Sequence, residues 1–449
     1  MHDQNVTVIH GATNSVITAI TVSGDPSALV YNSTNNKVYC ANEWRDNVNV
    51  IDGAANSVIT TIPVGDFPRA LVYNPANNKV YCTNENSNTI TVIDGATNSV
   101  ITNITVSDKP SVLVYNPTNN KVYCIHRYIN NVSVIDGATN SVITIIPVGL
   151  HPSALVYNPT NNKIYCANLH DYPVNVINGT TNSTVTVIDG ATNSVITTIT
   201  VGDEPSALVY NSTNNKVYCS NHWSNTVSVI DGATNNVITT ITVGDWPHAL
   251  VYNSTNNKVY CANRYSGYVT VIGGATNSVI TTITVGGEPH AFVYNSTNNK
   301  VYCANSNGYV TVIDGATDNV ITTVTVGEDP YAIVWNPIQN RTYVANHSSS
   351  SISVIQDETG IEEDQHQSTL RQIPHIHPNP AKTFCIIHTP AAIQSVKIYD
   401  VIGKLIKTED LAEYTNEKQI SLKGINPGVY FLQINTEDTE FIKKLIVTK

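Results

Sequence analysis

The chain has 449 residues, of which only 13% are charged, and its formal net charge is −11. This acidic balance argues against a general nucleic-acid or anionic-membrane binder, because such proteins depend on clustered Lys and Arg. No apolar run reaches the ~18 residues of a membrane-spanning helix, so no transmembrane segment is expected. The opening MHDQNVTVIHG also lacks the basic start and apolar stretch of a signal peptide, which favours a truncated or misassigned start if the chain is exported.

A unit built around Tyr-Cys-x-Asn recurs along residues 1–356. Its cysteines are Cys40, Cys82, Cys124, Cys166, Cys219, Cys261 and Cys303, and an eighth copy reads YVAN at 343–346. Each unit holds four short apolar runs, as in ALVYN, KVYCAN, VNVIDG and VITTIPV, separated by Asn-rich and Asp-Gly turns. Such turns suit tight hairpins, and the β-branched content favours strands over helices. Four antiparallel strands repeated eight times predict an all-β fold, a β-propeller with eight blades. A β-solenoid is the rival, and the hairpin turns disfavour it.

The two ends of the repeat region are complementary. The last copy has a third strand, SISVI, but no fourth, whereas the N-terminus supplies a spare strand at 15–22. We therefore expect the N-terminal strand to complete the last blade and close the ring. A further run at 5–10 is then surplus, and PVNVINGTTNS at 173–183 is interpreted as an extra partial copy of a third strand and its turn.

The motifs KVYCAN, YVAN and VIDGATNSVITTI make residues 1–356 resemble the YVTN family of β-propeller repeats. That family is found in cell-surface proteins of bacteria and archaea. The resemblance implies the fold, and it says little about function because propellers host both binding proteins and enzymes.

Variation between the copies is confined to two loops, after the second and after the fourth strand. Strand directions alternate, so both loops emerge on the same side of the disc, while the invariant turns emerge on the other. Exposed Trp, Tyr and Arg are common anchors of binding surfaces. The residues that we predict to bind a ligand on this face are Trp44, Arg45, Phe67, Arg69, His126, Tyr128, His151, His170, Tyr172, His222, Trp223, Trp246, His248, Arg264, Tyr265, His290, Tyr331 and His347.

These residues favour a binding module for a glycan or a partner protein, with no cofactor and no nucleic acid. Neutral drift of loops explains the variation but not the aromatic content. Two alternatives stay open: a propeller enzyme of the lyase or lactonase type that uses the face histidines, and a structural surface-layer protein.

Three other chemistries are weighed and set aside. The repeated cysteines are predicted to be buried free thiols, because equivalent positions in adjacent blades lie too far apart for a disulfide. The Asp of VIDG could bind Ca²⁺, but Asp or Asn also caps a turn, and His10, Asn178 and Gly273 replace it in other copies. Zinc would need three or four converging ligands, which the scattered histidines do not establish, so no metal site is predicted.

The composition changes after the repeats. Residues 357–373 are acidic and polar and indicate a linker, and strand-like runs with Asn-Pro and Pro-Gly turns at 374–449 predict a small β-sandwich. This tail resembles the type A C-terminal sorting domain of type IX secretion, known from Bacteroidota. The matching residues are Pro378, Asn379, Pro380, Tyr399, Asp400, Gly403, Lys404, Gly428, Tyr430, Lys443 and Lys444. The resemblance implies a partner in the outer-membrane secretion machinery and a location outside the cell or on the outer-membrane surface.

Overall fold

The computed structural model of the protein describes residues 14–169, 183–357, 375–377, 381–400, 404–436 and 440–448. The chain divides into two compact units, Met1–Ile361 and Glu362–Lys449. The predicted strand at 5–10, the extra copy at 173–183 apart from its last residue, and the linker after residue 357 lie outside the described residues.

The first unit is a β-propeller of eight four-stranded sheets, which confirms the predicted fold and number of blades. The first strands of blades 1 to 8 are Pro26–Asn32, Pro68–Asn74, Pro110–Asn116, Pro152–Asn158, Pro205–Asn211, Pro247–Asn253, Pro289–Asn295 and Pro330–Asn336. The second strands are Lys37–Asn42, Lys79–Asn84, Lys121–His126, Lys163–Asn168, Lys216–Asn221, Lys258–Asn263, Lys300–Asn305 and Arg341–Asn346. The third strands are Asn47–Asp52, Thr89–Asp94, Asn131–Asp136, Thr184–Asp189, Thr226–Asp231, Tyr268–Gly273, Tyr309–Asp314 and Ser351–Gln356. The fourth strands are Ser57–Pro63, Val100–Thr105, Val142–Pro147, Val195–Thr200, Val237–Thr242, Ser278–Thr284, Val320–Thr325 and, for blade 8, Val16–Thr21.

Burial explains the apolar pattern of each strand. The second and third strands are buried at nearly every position, because neighbouring sheets cover both of their faces. The cluster between blades 1 and 2, for example, packs Tyr39 and Val50 of one sheet against Cys82 of the next. First strands of neighbouring blades contact one another and so surround the centre of the ring. The fourth strands form the periphery, where Ile59 and its equivalents are exposed.

The invariant turns fasten each blade to the next. In blade 1 the Lys37 ammonium and the Tyr39 hydroxyl both donate to Asn98 Oδ1 in blade 2, at 2.9 and 3.0 Å. Blade 8 binds blade 1 in the same way, because Arg341 and Tyr343 donate to Asn56 Oδ1 at 3.2 and 2.7 Å. The ring is therefore closed by the contacts that join its other blades.

The repeated Asp of the third-strand turn is a cap, as the turn-capping interpretation predicts. Asp94 Oδ1 accepts the backbone N–H groups of Ala96 and Thr97 at 2.8 and 2.9 Å, and these bonds lower the pKa of Asp94. The following Gly95 is required by close packing, because a Cβ there would lie 2.3 Å from Asn78 Oδ1. The described residues thus give this carboxylate a structural task.

The N-terminal strand completes the last blade, which confirms the predicted closure. Val16–Thr21 pairs antiparallel with Ser351–Gln356 as the fourth strand of blade 8. Asn14 and Asp357 then flank the gap where other blades have a continuous turn, and both accept bonds from the Lys300 ammonium at 2.9 Å. The two ends of the repeat region therefore meet at one side chain of blade 7.

The second unit is a five-stranded antiparallel sheet with strands His375–His377, Phe384–Asp400, Leu405–Ser421, Gly428–Thr436 and Glu440–Val447. The two long strands carry register shifts near Ile393, and a parallel bridge joins Ala381 to Val447. The curled sheet encloses one apolar core that includes Ile398, Leu432 and Leu445. The tail, predicted as a small β-sandwich, is thus a single curled sheet around this core.

Candidate binding face

Backbone bonds hold the two variable loops of each blade together. Strand register places Pro26 opposite Asn42, so the loops before the first strand and after the second leave the sheet side by side. In blade 1 the Glu43 N–H donates to the Asp25 carbonyl at 2.9 Å, and in blade 6 the Arg264 N–H donates to the Trp246 carbonyl at 2.9 Å. The variable residues therefore lie on one rigidly supported surface, which we call the variable face.

The second residue of each first strand lies where the variable face meets the centre of the ring. We call this set the mouth ring: Ser27, Arg69, Ser111, Ser153, Ser206, His248, His290 and Tyr331. Blades 3 to 5 thus carry three consecutive serines, whereas blades 6 to 8 carry three consecutive aromatic or imidazole rings. This asymmetry is imposed on a scaffold that is otherwise nearly identical from blade to blade.

The two kinds of mouth residue make different contacts. Ser27 and Ser206 donate to the carbonyls of the first residue of the next blade's first strand, both at 2.9 Å. The rings of His248 and His290 stack at 4.8 Å between centroids, and His290 lies 4.6 Å from Tyr331. These serines therefore link neighbouring blades, while blades 6 to 8 carry imidazole and phenol groups at the same position.

The stacked histidines are neutral at physiological pH. Burial, and then the neighbouring His290 and Arg264, lower the pKa of His248 to about 3. Burial and Arg264 lower the pKa of His290 to about 4. A neutral imidazole carries one donor and one acceptor. His290 Nδ1 is buried and has no hydrogen-bond partner among the described residues.

Acidic residues dominate the adjoining part of the mouth, on blades 8, 1 and 2. The Arg69 guanidinium lies 3.2 Å from a Glu43 carboxylate oxygen and 3.5 Å from one of Glu85. His347 lies 3.7 Å from both Glu43 and Asp329. The hydrogen bond with Glu43 is the main cause that raises the pKa of His347. This histidine therefore gains a proton more readily than those of blades 6 and 7.

Farther from the centre, three aromatic pairs stand on the variable face. Trp44 contacts Phe67 at 5.0 Å between ring centroids, Tyr128 contacts His151 at 6.0 Å, and Trp223 contacts Trp246 at 5.9 Å. Tyr265 and His222 extend the third pair, at 5.5 and 4.7 Å from Trp246. The outer members are well exposed, with Trp44 at 65% and both Tyr128 and Trp223 at 55%.

The inner member of each pair has a left-handed backbone. Phe67, His151 and Trp246 precede the proline that begins a first strand, and their φ angles are 61°, 46° and 58°. This region suits Gly or Asn and costs other residues roughly 1–2 kcal/mol. The equivalent Lys109, Glu204 and Asp329 share this conformation, with φ of 52°, 51° and 52°, so it belongs to the turn and not to the aromatic residues alone.

The structure separates the predicted residues into groups. His126 is fully buried at the end of a second strand, where it replaces the Asn of the other blades, so its side chain is not on the variable face. His170 and Tyr172 lie outside the described residues, and Arg45 is exposed at the end of a short 3-10 helix, Glu43–Arg45. The prediction omitted Glu43, Glu85 and the mouth serines, which align with predicted residues in other copies.

Metal binding finds no support in the part of the chain that the structure describes. No group of three or more His, Cys, Asp or Glu side chains there is arranged to hold an ion. The eight cysteines are buried free thiols, and burial raises the pKa of each of the seven in the propeller above the usual range.

Several motif residues of the tail have structural tasks. Asp400 Oδ1 accepts the Lys404 N–H at 2.9 Å across a turn, and the Tyr430 hydroxyl donates to the Asn426 carbonyl at 2.8 Å. Tyr399 donates to Gln433 Oε1 at 2.8 Å, and Gly428 begins a strand. Lys443 and Lys444 lie on the last strand, while Pro378, Asn379, Pro380 and Gly403 fall outside the described residues.

Comparison with known families identifies the two parts of the chain. Residues 375–448 match the family described as "Secretion system C-terminal sorting domain". Residues 146–278 match the family described as "Lactonase, 7-bladed beta-propeller", which covers less than a third of the chain. The protein is therefore a β-propeller with a C-terminal secretion sorting domain, which confirms both predicted parts. It has eight blades where the matched propeller family has seven.

Solved structures support the fold alone. The computationally designed Ika8 protein is 16% identical with a TM-score of 0.63, and the match covers 75% of this chain and 98% of that one. Hydrazine synthase of Kuenenia stuttgartiensis is 17% identical with a TM-score of 0.54, covering 75% and 96%. Sqt1 of Saccharomyces cerevisiae is 10% identical with a TM-score of 0.66, covering 79% and 99%. No curated protein matches the sequence.

Proposed function

We propose that the propeller is a binding module that recognises a glycan or a surface protein through its variable face. The observation that carries this proposal is the set of three aromatic pairs with exposed outer members, Trp44, Tyr128 and Trp223, in a scaffold copied almost unchanged eight times. Aromatic rings are costly to expose to water and are frequent anchors of binding sites. Relaxed loop drift accounts for sequence change, but it gives no reason to retain aromatic rings at left-handed positions.

The sorting domain places the protein among those secreted or displayed at the cell surface. No helix within the described residues has the length and apolar character needed to cross a membrane. We propose that the tail engages the type IX machinery of the outer membrane, and that the propeller then acts outside the cell or on the outer-membrane surface. Extracellular glycans and surface proteins are the partners available there.

A second candidate is an enzyme of the lactonase type. Two observations favour it: the partial match to a lactonase propeller family, and the neutral pair His248 and His290 beside Tyr331. Both imidazoles are unprotonated at neutral pH, so each has one ring nitrogen that can accept a hydrogen bond or a proton. The face histidines would then act on a substrate held at the mouth of the ring.

The test compares the full chain with a variant that carries Trp44→Ala, Trp223→Ala and Trp246→Ala. Retention is measured on immobilised polysaccharides and on cell-surface extracts. A control variant with Ile59→Ala, Ile143→Ala and Ile238→Ala removes exposed apolar side chains from the periphery. We expect the tryptophan variant alone to lose retention. Equal retention by all three proteins would contradict the proposal.

The enzymatic candidate is measured in parallel. Hydrolysis of γ- and δ-lactones by the full chain, abolished by His248→Gln or His290→Gln, would favour the lactonase type. Binding without turnover would favour the module.

A further inference from the structure

The three aromatic pairs occupy equivalent places in alternate blades. In each pair, one ring comes from the loop after the second strand of an odd-numbered blade. The other comes from the residue before the proline that begins the first strand of the next blade. The pairs lie between blades 1 and 2, 3 and 4, and 5 and 6. Neighbouring pairs are thus two blades apart, a quarter of the eight-bladed ring. The equivalent place between blades 7 and 8 holds Asn307 and Asp329.

Polar residues separate the pairs. Between blades 2 and 3 the same two positions hold Asn86 and Lys109, which are hydrogen-bonded to each other. Between blades 8 and 1 they hold Ser348 and Asp25. Between blades 6 and 7 the two positions hold Tyr265 and Glu288, and Tyr265 continues the third pair, because its ring lies 5.5 Å from that of Trp246. Among the described residues, the aromatic side chains therefore form three groups, which we call platforms, rather than one continuous apolar patch. This is the arrangement expected for several contacts with one long polar ligand.

The charge of the face restricts the ligand. The described loops of the variable face and the mouth ring carry twelve carboxylates but only five cationic side chains. The carboxylates are Asp25, Glu43, Asp46, Asp66, Glu85, Asp108, Asp203, Glu204, Asp245, Glu288, Glu328 and Asp329. The cations are Arg45, Arg69, Lys109, Arg127 and Arg264. Such an excess repels an acidic polymer and tolerates a neutral one.

Sugar rings suit these platforms better than protein side chains do. A pyranose has an apolar face that stacks on an aromatic ring and hydroxyl groups that bond to the polar surroundings. Repeating sugars present this face at regular intervals, which matches three separate platforms of the same kind. A protein epitope would require one contiguous complementary surface with a buried apolar centre.

We propose that the three aromatic pairs are separate sugar subsites, and that the ligand is a polysaccharide without acidic groups that occupies more than one subsite at a time. This inference rests on the proposed function of the variable face. Simultaneous engagement makes the second contact intramolecular, so affinity for a polymer exceeds affinity for a short oligosaccharide without any new type of contact.

The experiment uses the full chain with a β-glucan, an α-glucan, a mannan and N-acetylated chito-oligosaccharides as neutral probes, and polygalacturonate as the acidic probe. Calorimetry and retention are measured for the wild type and for Trp44→Ala, Tyr128→Ala, Trp223→Ala and their triple combination. For the neutral polymer that binds, each single substitution should weaken binding by about tenfold, and the triple variant should not bind. A short oligosaccharide of the same sugar should bind at three sites per chain in the wild type and at two in each single variant.

A second variant at the third subsite tests whether loss of binding results from loss of folding. Asn tolerates the left-handed backbone of Trp246, so Trp246→Asn should keep the thermal stability of the wild type while losing that subsite.

The outcomes separate this inference from the proposed function. Loss of binding in only one single variant would mean one site, which overturns the inference and leaves the proposed function intact. If the protein bound polygalacturonate as tightly as it binds a neutral polymer, the argument from charge would be overturned. Failure of every neutral probe to bind would overturn the inference of a polysaccharide ligand. If the triple variant also bound surface extracts as well as the wild type does, the variable face would be excluded as the binding site.

Discussion

His126 shows how one substitution changes the chemistry of a repeated position. The other seven second strands end in Asn, and in blade 2 the Asn84 amide donates to Thr91 Oγ1 at 2.8 Å. His126 Nδ1 lies 3.1 Å from the Asp108 carbonyl, which can only accept, so this nitrogen carries the proton. Nε2 then accepts the Ser133 hydroxyl at 2.8 Å. Both ring nitrogens are hydrogen-bonded in the neutral form, and burial disfavours the charged form.

The substitution His126→Asn should reduce the sensitivity of the propeller to acid. Burial lowers the pKa of His126 from 6.5 to about 4, so below pH 6.5 the unfolded chain binds a proton that the folded chain does not. The free energy of unfolding contributed by this group is constant above pH 6.5 and falls as the pH drops from 6.5 to 4, by about 3 kcal/mol at most. Denaturant unfolding at pH 7.5 and pH 4.5 measures the difference. A variant as acid-sensitive as the wild type would show that His126 is not the responsible group.

Contacts between neighbouring blades close the ring. We call each contact of a second-strand Lys or Arg with an Asn or Asp of the next blade a clamp. Blades 1 to 5 place a Lys ammonium on an Asn Oδ1 of the next blade, as in Lys37 on Asn98. Lys258 instead meets the Asp318 carboxylate at 2.8 Å, and Lys300 meets Asp357 at 2.9 Å. Asp357 is fully buried and also accepts the Asn295 amide. The pair that holds the two ends of the repeat region together is therefore the more deeply buried of the two.

We expect Asp357→Asn to destabilise the propeller by about 1–3 kcal/mol, because it leaves the Lys300 ammonium without its buried counter-charge. Asp318→Asn is the matched control. It restores the Asn found in the clamps of blades 1 to 5, so its effect should stay within about 1 kcal/mol. Tryptophan fluorescence during denaturation reports on the propeller alone, since all four tryptophans lie within residues 44–335. Equal effects of the two substitutions would contradict the special role of the closing clamp.

At the scale of strands, local pattern was sufficient for prediction. The consecutive apolar residues of KVYCAN and the hairpin turns predicted buried antiparallel strands, and the unpaired strand at 15–22 predicted the closure, because both depend on neighbours in a regular repeat. The mouth ring was only partly predicted. Ser27 lies within PSALVYN, a sequence that several blades share, so nothing in the sequence marks it as part of the mouth ring. His248 occupies the equivalent position in PHALVYN and differs visibly from the other copies.

Two further features could not be predicted, because they depend on contacts that the spacing of residues in the sequence does not reveal. His126 was grouped with the variable loops because it follows Tyr-Cys-x, although it is the last residue of a strand whose side chain points into the blade. The clamp at Lys300 joins residues 14 and 357, which are remote in sequence and come together only in the closed ring.

The whole molecule consists of two units, a propeller and a C-terminal sorting domain. The propeller has its own closed set of interblade contacts, and the sorting domain has its own apolar core, so each unit holds together by interactions of its own residues. None of the residues proposed to bind sugar lies in the second unit. Recognition and export should therefore be separable in one experiment.

Deletion of residues 362–449 should block export and leave binding intact. In a bacterium that has type IX secretion, the full chain preceded by an inner-membrane signal should reach the surface or the medium, while the truncated chain should remain in the periplasm. A second control exchanges Tyr430 for Phe, which removes the hydroxyl bond to Asn426 but keeps the ring in the core. That variant should still be exported, because a single hydrogen bond contributes only about 1 kcal/mol to folding. The truncated protein, recovered from the periplasm, should bind the same probe as the exported full chain. If the truncated chain still reached the surface, the sorting signal would have to lie in the propeller, and if it lost binding, the sorting domain would have to contribute to the ligand site.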